Sequence, residues 1–330
     1  MPKRINWKKG MRLSDEVMRR ADDYCAADLG QTAMLAAAGR FGLFPAGQRP
    51  FQLSLSLTNN YVDVESLSCL AITRDGHVID VHYDTRFEQW FETRVPIPED
   101  DDQQEYLLAI CAVPDKWHET GEGIRETAYA YVLLAKNEPL PFYAMPIGRI
   151  VKNNEGWAED NANFVPPCLF VSSHKLMEEL HARFLDIMRS IMVKTRQQLD
   201  TGARTAISIY WPLVQQTFIA VNTRHDVMTP MDLLAHVQQV VAAFTCACEL
   251  DEMLQLEDAA TFSQFAQLPY NYQSVYFRLK QGLGMCYAIS EKVEKFSLLQ
   301  PEEPQPERKP QPQAPAGHPD PRRLWDGKCI

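Results

Sequence analysis

The sequence predicts an α+β multidomain fold, an antiparallel β-sandwich followed by an α-helical bundle, and three observations carry that prediction. From Phe51 the apolar residues recur at every second position; after Pro166-Pro167 they recur at steps of three and four. From Gln300 the composition turns proline-rich. The expected organisation is an N-terminal segment and helix over 1–40, a sheet domain over 41–171, a helical bundle over 172–298 and a flexible tail over 299–330.

The first element is a helix from about Ser14 to Ala38. Ser14 is placed to cap it, Asp15 and Glu16 put negative charge against the positive end of the helix dipole, and Leu13 can staple onto Met18. Gly39 is the expected stop. Trp7, Met11 and Leu13 form an apolar approach segment ahead of this helix, with nothing beside it in sequence to cover it.

From Phe51, the residues Phe51, Leu53, Leu55 and Leu57 alternate with Gln52, Ser54, Ser56 and Thr58, the pattern of a strand with one buried face. Asn59-Asn60 supplies a turn, Val62 and Val64 resume the alternation, and Asp75-Gly76 marks a second hairpin before Val78 to Tyr83. The phase slips between Val64 and Leu67, which predicts a bulge. Further strands are expected over Glu105–Val113, Thr127–Ala135, Phe142–Val151 and Phe164–Val171, with polar loops over Pro96–Gln104 and Asp115–Glu126. The Asp100-Asp101-Asp102 run reads as solvated turn. Short strands at this spacing favour an antiparallel sandwich or barrel.

Ser172 is the expected cap of the next helix, with Val171 stapled to Leu176. Met177, Leu180, Phe184, Ile187 and Ile191 then form a seam of coiled-coil spacing. Burying each such side chain contributes about 1.5–3 kcal/mol, so a helix of this kind is stable only when its stripe meets another. Three more helices follow: the uncharged stretch Thr205–Thr223 with Pro212 inside it, a helix opened by Thr229-Pro230 with Leu234, Val237, Val241, Phe244 and Cys248 on one face, and one from about Asn271 to Lys295. The last carries Tyr272, Tyr276, Leu279, Leu283, Cys286 and Val293 near heptad spacing. Together they read as a bundle. Beyond it, residues 301–321 hold eight of the 22 prolines and should be extended and solvated, leading to Arg322-Arg323-Leu324-Trp325, a candidate peptide anchor.

With 330 residues the chain can bury at least one full core, and 45% hydrophobic against 23% charged residues is the composition of a globular protein. A net charge of -10 argues against nucleic acid or an anionic membrane as the main partner, since both select a basic face. No apolar stretch follows the basic start, so no secretory signal is read and a cytoplasmic location is expected. Thr205–Thr223 approaches spanning length, but Pro212, Gln215, Gln216 and Asn222 mark it as a buried bundle helix and not a direct membrane span.

Catalytic and metal-binding constellations were sought and do not assemble. Cys246 and Cys248 stand about 200° apart on a helix and point away from each other. His174 and His181 are two turns apart, about 10.5 Å in rise, too far to share a metal. Gly282-Leu283-Gly284 lacks a preceding strand and a lysine, and glycine there suits close contact between helices. Ser172 and Ser173 beside His174 suit a helix start, and His77 and His82 flank a hairpin strand. The expectation is a protein without catalytic residues, cofactor or metal.

The order of these phrases resembles the TssK family of type VI secretion baseplate proteins. The residues that carry the resemblance are INWKKGMRLSDE at 5–16, Gly42 to Pro45, Asp75 to Asp80, Phe164 to Leu180, and Tyr210-Trp211-Pro212-Leu213. The family implies a sheet domain, the shell, like the shoulder of phage receptor-binding proteins. It further implies a helical neck that trimerises, attachment to the wedge proteins TssF and TssG, and a C-terminal head that joins the membrane complex. Residues 300–330 are too short and too proline-rich to be that head. The implied role is a structural adapter at the cytoplasmic face of the inner membrane. Leu180, Phe184, Ile187, Ile191, Leu279 and Leu283 are then expected at a trimer interface, Trp7, Met11 and Leu13 at the wedge, and Leu324 and Trp325 as the tail's tether to the membrane complex. The competing readings are a phage-tail receptor-binding or baseplate protein and a small β-sandwich hydrolase.

Overall fold

The computed structural model describes residues 8–298 apart from 10, 13, 46, 48–49, 85–92, 99–102, 121–123, 137, 201–204 and 251–257. Helix α1 (Asp15–Ala36) begins where the sequence places its cap: the Ser14 hydroxyl accepts the Val17 N–H at 3.4 Å. Ala38 and Gly39 take positive φ values of 52° and 72°, and the Gly39 N–H donates to the Met34 carbonyl at 2.9 Å, a left-handed exit that closes the last turn. Leu13 and the Asp100-Asp101-Asp102 run lie outside the described residues.

The first sheet contains β1 (Gly42–Leu43), β2 (Gln52–Leu57), β3 (Tyr61–Ile72), β4 (Val78–Asp84) and β5 (Arg94–Pro96), and every other strand pairs antiparallel with β3. The Thr58 N–H donates to the Tyr61 carbonyl at 3.0 Å and closes the turn at Asn59-Asn60. The expected bulge is present: Ser54 pairs with Ser66 and Leu55 with Val64, leaving Glu65 as the extra residue. At the next hairpin the Thr73 N–H donates to the His77 carbonyl at 2.9 Å, and Gly76 has φ 86°. A Cβ at Gly76 would overlap the Gly30 carbonyl oxygen, so only glycine lets α1 approach this turn.

The second sheet runs β7 (Ile124–Ala135), β6 (Glu105–Thr120), β8 (Ala144–Asn153), β9 (Gly156–Glu159). Here the expected loop over Asp115–Glu126 is corrected. Trp117 pairs with Thr127 and Thr120 with Ile124, so β6 and β7 continue as a hairpin through most of that stretch. A two-stranded ribbon is held by backbone pairing and need not alternate apolar with polar residues, which is why it read as loop. The expected strand over Phe164–Val171 is also absent. Pro166-Pro167 cannot donate to a ladder, and the segment makes one isolated bridge, Leu43 to Cys168.

The sandwich core joins Val62, Val64, Leu67 and Cys69 of β3 to Tyr106, Leu108 and Ile110 of β6. A Cβ at Gly148 would lie 3.1 Å from Leu53 Cδ2, so the two sheets are close-packed there. The other face of β6 and β8, with Ala109, Cys111 and Ala144, is covered by Leu140, Phe41 and Tyr272.

A 3-10 turn at Val171–Ser173 leads to α2 (Lys175–Asp200), α3 (Thr205–Thr223), α4 (Pro230–Leu250), α5 (Ala259–Ala266) and α6 (Val275–Leu298). Ser172 is not the cap of α2. The helix starts later, the His174 Nδ1 accepts the Leu176 N–H at 3.2 Å, and the Ser173 hydroxyl accepts the Phe170 N–H at 3.2 Å within the 3-10 turn. Thr229 does cap α4, in a reciprocal pair with Asp232: Thr229 Oγ1 accepts the Asp232 N–H at 3.0 Å and donates to Asp232 Oδ2 at 2.7 Å. Helix α6 begins four residues later than expected, because the Asn271 side chain accepts the Gln273 N–H at 2.9 Å and forms a turn.

Helix α2 packs on α3 and α6, and α4 packs on α3 and α6, closing a four-helix ring with α5 against α4. Ser190 and Ser290 hydroxyls meet at 2.9 Å, and Lys194 Nζ donates to Ser290 Oγ at 3.1 Å, setting the register of α2 against α6. One cluster of buried apolar side chains runs from the sandwich into the bundle, from Leu43 to Val293.

Candidate protein-protein interfaces

The six side chains expected at a trimer seam are already covered within one chain. Leu180, Phe184, Ile187, Ile191, Leu279 and Leu283 are between 0 and 7% exposed. Heptad spacing fits any neighbouring helix, and here the helices of the same chain supply neighbours.

The outward faces differ in character. The exposed positions of α2 include Glu178, Glu179, Arg183, Asp186 and Arg189, an ordinary solvated face. On α6 the exposed positions among the described side chains are Phe277, Lys280, Gln281, Gly284, Tyr287 and Ala288, with Phe277 51% and Tyr287 57% exposed. Phe277, Gln281, Gly284 and Ala288 stand at i, i+4, i+7 and i+11 and share one face. A Cβ at Gly284 would meet no atom within 4 Å. The sequence pattern hides this stripe because the inward one on the same helix is stronger, although the aromatics Phe277 and Tyr287 outside that inward pattern were a signal.

Of the expected wedge-binding residues, Met11 is exposed, with its N–H donating to the Lys8 carbonyl at 3.1 Å. Trp7 and Leu13 lie outside the described residues, as do Leu324 and Trp325.

Sandwich and bundle meet at Arg74. Its guanidinium carbon lies 4.6 Å from the centre of the Phe41 ring and 5.1 Å from that of Tyr272, and the two rings meet edge to face at 5.2 Å. Lys280 Nζ adds a hydrogen bond to the Ala162 carbonyl at 3.0 Å.

Titratable groups gather where α3 turns into α4. His181 is buried with Nε2 3.1 Å from the Val221 carbonyl, and its ring stacks edge-on with His225 at 4.9 Å. Burial lowers the His181 pKa below its usual value, partly offset by the Val221 hydrogen bond, with His225 adding to the lowering. His174 is engaged in capping, and His77 and His82 are exposed. Cys246 is exposed and Cys248 buried, so they do face apart. Among the described residues no group of three or more His, Cys, Asp or Glu could hold a metal ion. A cleft of about 900 Å³ at one end of the sandwich is lined by Asn59, Asn60, Pro96, Lys152, Glu155 and Trp157 among others, mostly amides and rings with one amine and one carboxylate. Among the described residues one helix, Pro230–Glu249 with mean hydropathy 1.3, is long and apolar enough to cross a membrane, and half of it is buried in the bundle.

No protein-family model and no curated protein matches the sequence. Solved structures do match. A crystal structure of TssK aligns with TM-score 0.61 at 12% identity, covering 89% of this chain and 70% of that one. TssK from the type VI secretion system of EAEC, in complex with a nanobody, aligns with TM-score 0.55 at 13% identity over 82% of this chain and 68% of that one. A chain of the type VI secretion system TssK-TssF-TssG baseplate subcomplex, solved by cryo-electron microscopy, aligns with TM-score 0.55 at 13% identity, over 88% of this chain and 99% of that one. At these identities the likeness establishes the fold: an antiparallel sandwich followed by a helical bundle, arranged as in TssK.

Proposed function

We propose that this protein is a structural adapter in the baseplate of a type VI secretion machine, a homotrimer that links wedge proteins of the TssF and TssG kind to a membrane-associated complex on the cytoplasmic side. The observation that carries the reading is the alignment with a chain of the TssK-TssF-TssG baseplate subcomplex, over 88% of this chain and 99% of that one. Sandwich and bundle share one core, as a part that bridges two larger bodies requires.

Because the inward stripes are covered, the trimer must be built on outward ones. The α6 face of Phe277, Gln281, Gly284, Tyr287 and Ala288 is the candidate, because its two exposed aromatics would leave water in such a contact. Wedge attachment is assigned to Trp7, Met11 and Leu13, an apolar segment whose Met11 is open to solvent. Leu324-Trp325, at the end of the proline-rich tail, is assigned to the membrane complex. The test is co-purification with TssF and TssG proteins from the same organism. The wild-type chain should capture both, and alanine at Trp7, Met11 and Leu13 should abolish capture while leaving the circular dichroism spectrum unchanged. Failure of the wild-type chain to bind either protein rejects the baseplate role; undiminished capture by the triple variant rejects the assigned segment.

A further inference from the structure

Helix α1 is held in place yet barely covered. No α1 side chain among the described residues is buried, and Met18, Leu29 and Leu35 are 48, 70 and 82% exposed. A helix in water draws most of its stability from a packed face. The packed face here is a half-buried line of Val17, Ala21, Tyr24, Ala27, Gly30 and Met34, which brings the helix onto the turn between β3 and β4 at Gly76.

A second line faces solvent. Met18, Cys25 and Leu29 stand at i, i+7 and i+11, within about 40° of one another around the axis, and all are exposed. Carboxylates flank the line: Asp15 and Asp22 lie about 40–60° to one side and Asp28 about 80° to the other. Arg20 is turned to the far side, where it bonds Glu16 at 2.6 Å. In all, α1 carries five carboxylates (Asp15, Glu16, Asp22, Asp23, Asp28) against two arginines (Arg19, Arg20).

We propose that this face docks a basic amphipathic helix of another protein, with apolar anchors against Met18, Cys25 and Leu29 and Lys or Arg beside Asp15, Asp22 and Asp28. The charge decides between occupants. A second α1 would set carboxylates against carboxylates, and an anionic bilayer would be repelled, whereas a cationic helix matches the apolar line and its rims together. The proposal does not depend on the baseplate reading.

The experiment uses the full chain and a synthetic leucine-lysine amphipathic peptide, followed by fluorescence anisotropy, with a leucine-glutamate peptide of the same pattern as control. The lysine peptide should bind, more weakly as salt is raised, and Leu29→Lys should weaken binding roughly tenfold or more. Leu29 is 70% exposed, so the variant should keep the wild-type melting temperature. The proposal is overturned by equal binding to Leu29→Lys, by equal binding of the glutamate peptide, by a drop in assembled mass on Leu29→Lys, which would mean that copies cover the face, or by Leu29-dependent binding to phosphatidylglycerol vesicles.

Discussion

Gly282 decides how closely α6 approaches α4 and α5. A Cβ there would lie 2.5 Å from both Val237 Cγ1 and Phe265 Cζ, and Phe265 is itself buried. Overpacking of this kind costs about 1–3 kcal/mol, more than the roughly 1 kcal/mol by which alanine favours a helix over glycine. Gly282→Ala should therefore lower the urea midpoint, while Gly284→Ala, whose Cβ meets open space, should raise it in the isolated chain. Opposite signs at two glycines on one helix are the check. The close contact at Gly282 was legible in the sequence as a glycine inside a helical pattern; the partner atoms were not, since they come from two elements, one of them the short α5 that no periodicity announces.

His181 sets the pH response. Its folded pKa is lowered, so between that value and about 6.5 the unfolded chain binds a proton that the folded chain refuses. The stability it contributes is present above about 6.5 and is lost as pH falls through the folded value. His174 and His236 are lowered by burial as well and act in the same direction. The melting temperature should fall on acidification from neutral pH to about 5, and His181→Gln should make that fall shallower. A variant with the wild-type slope would show that the proton goes elsewhere.

At the scale of elements, what was legible had a local cause. The Ser14 cap, the Asn59-Asn60 turn, the bulge at Glu65 and the Thr229-Pro230 start each rest on residues within a few positions of one another. What was missed is held by distant partners. Strand β5 exists because Val95 pairs with Val62, and β9 because Trp157 pairs with Lys152; neither is long enough to show a period. The start of α2 was misplaced because two serines look like better caps than His174, while the backbone needs Ser173 for a turn that joins sandwich to bundle. The candidate interfaces follow the same division: apolar stripes can be read from spacing, but which stripe faces inward depends on how four helices close into a ring.

For the whole molecule, that closure separates two classes of substitution. Ile187→Asp puts a carboxylate among buried side chains and should unfold the chain or leave it aggregated, at a cost of several kcal/mol. Phe277→Glu, on a half-exposed position of α6, should leave the fold intact and reduce the assembled mass to that of one chain of 37.7 kDa in light scattering. A wild-type protein already of that mass would remove the trimer, and a Phe277→Glu protein of wild-type mass would move its interface to another face.

Because the same unbroken grease fills sheets and rods, and Arg74 is gripped by a ring from each side, the described residues show no elbow between sheets and rods. Torque applied to the rods should therefore carry over to the sheets, as a spanner's jaw follows its handle. If the protein serves as the proposed adapter, any swivelling is expected at its joints with neighbouring proteins.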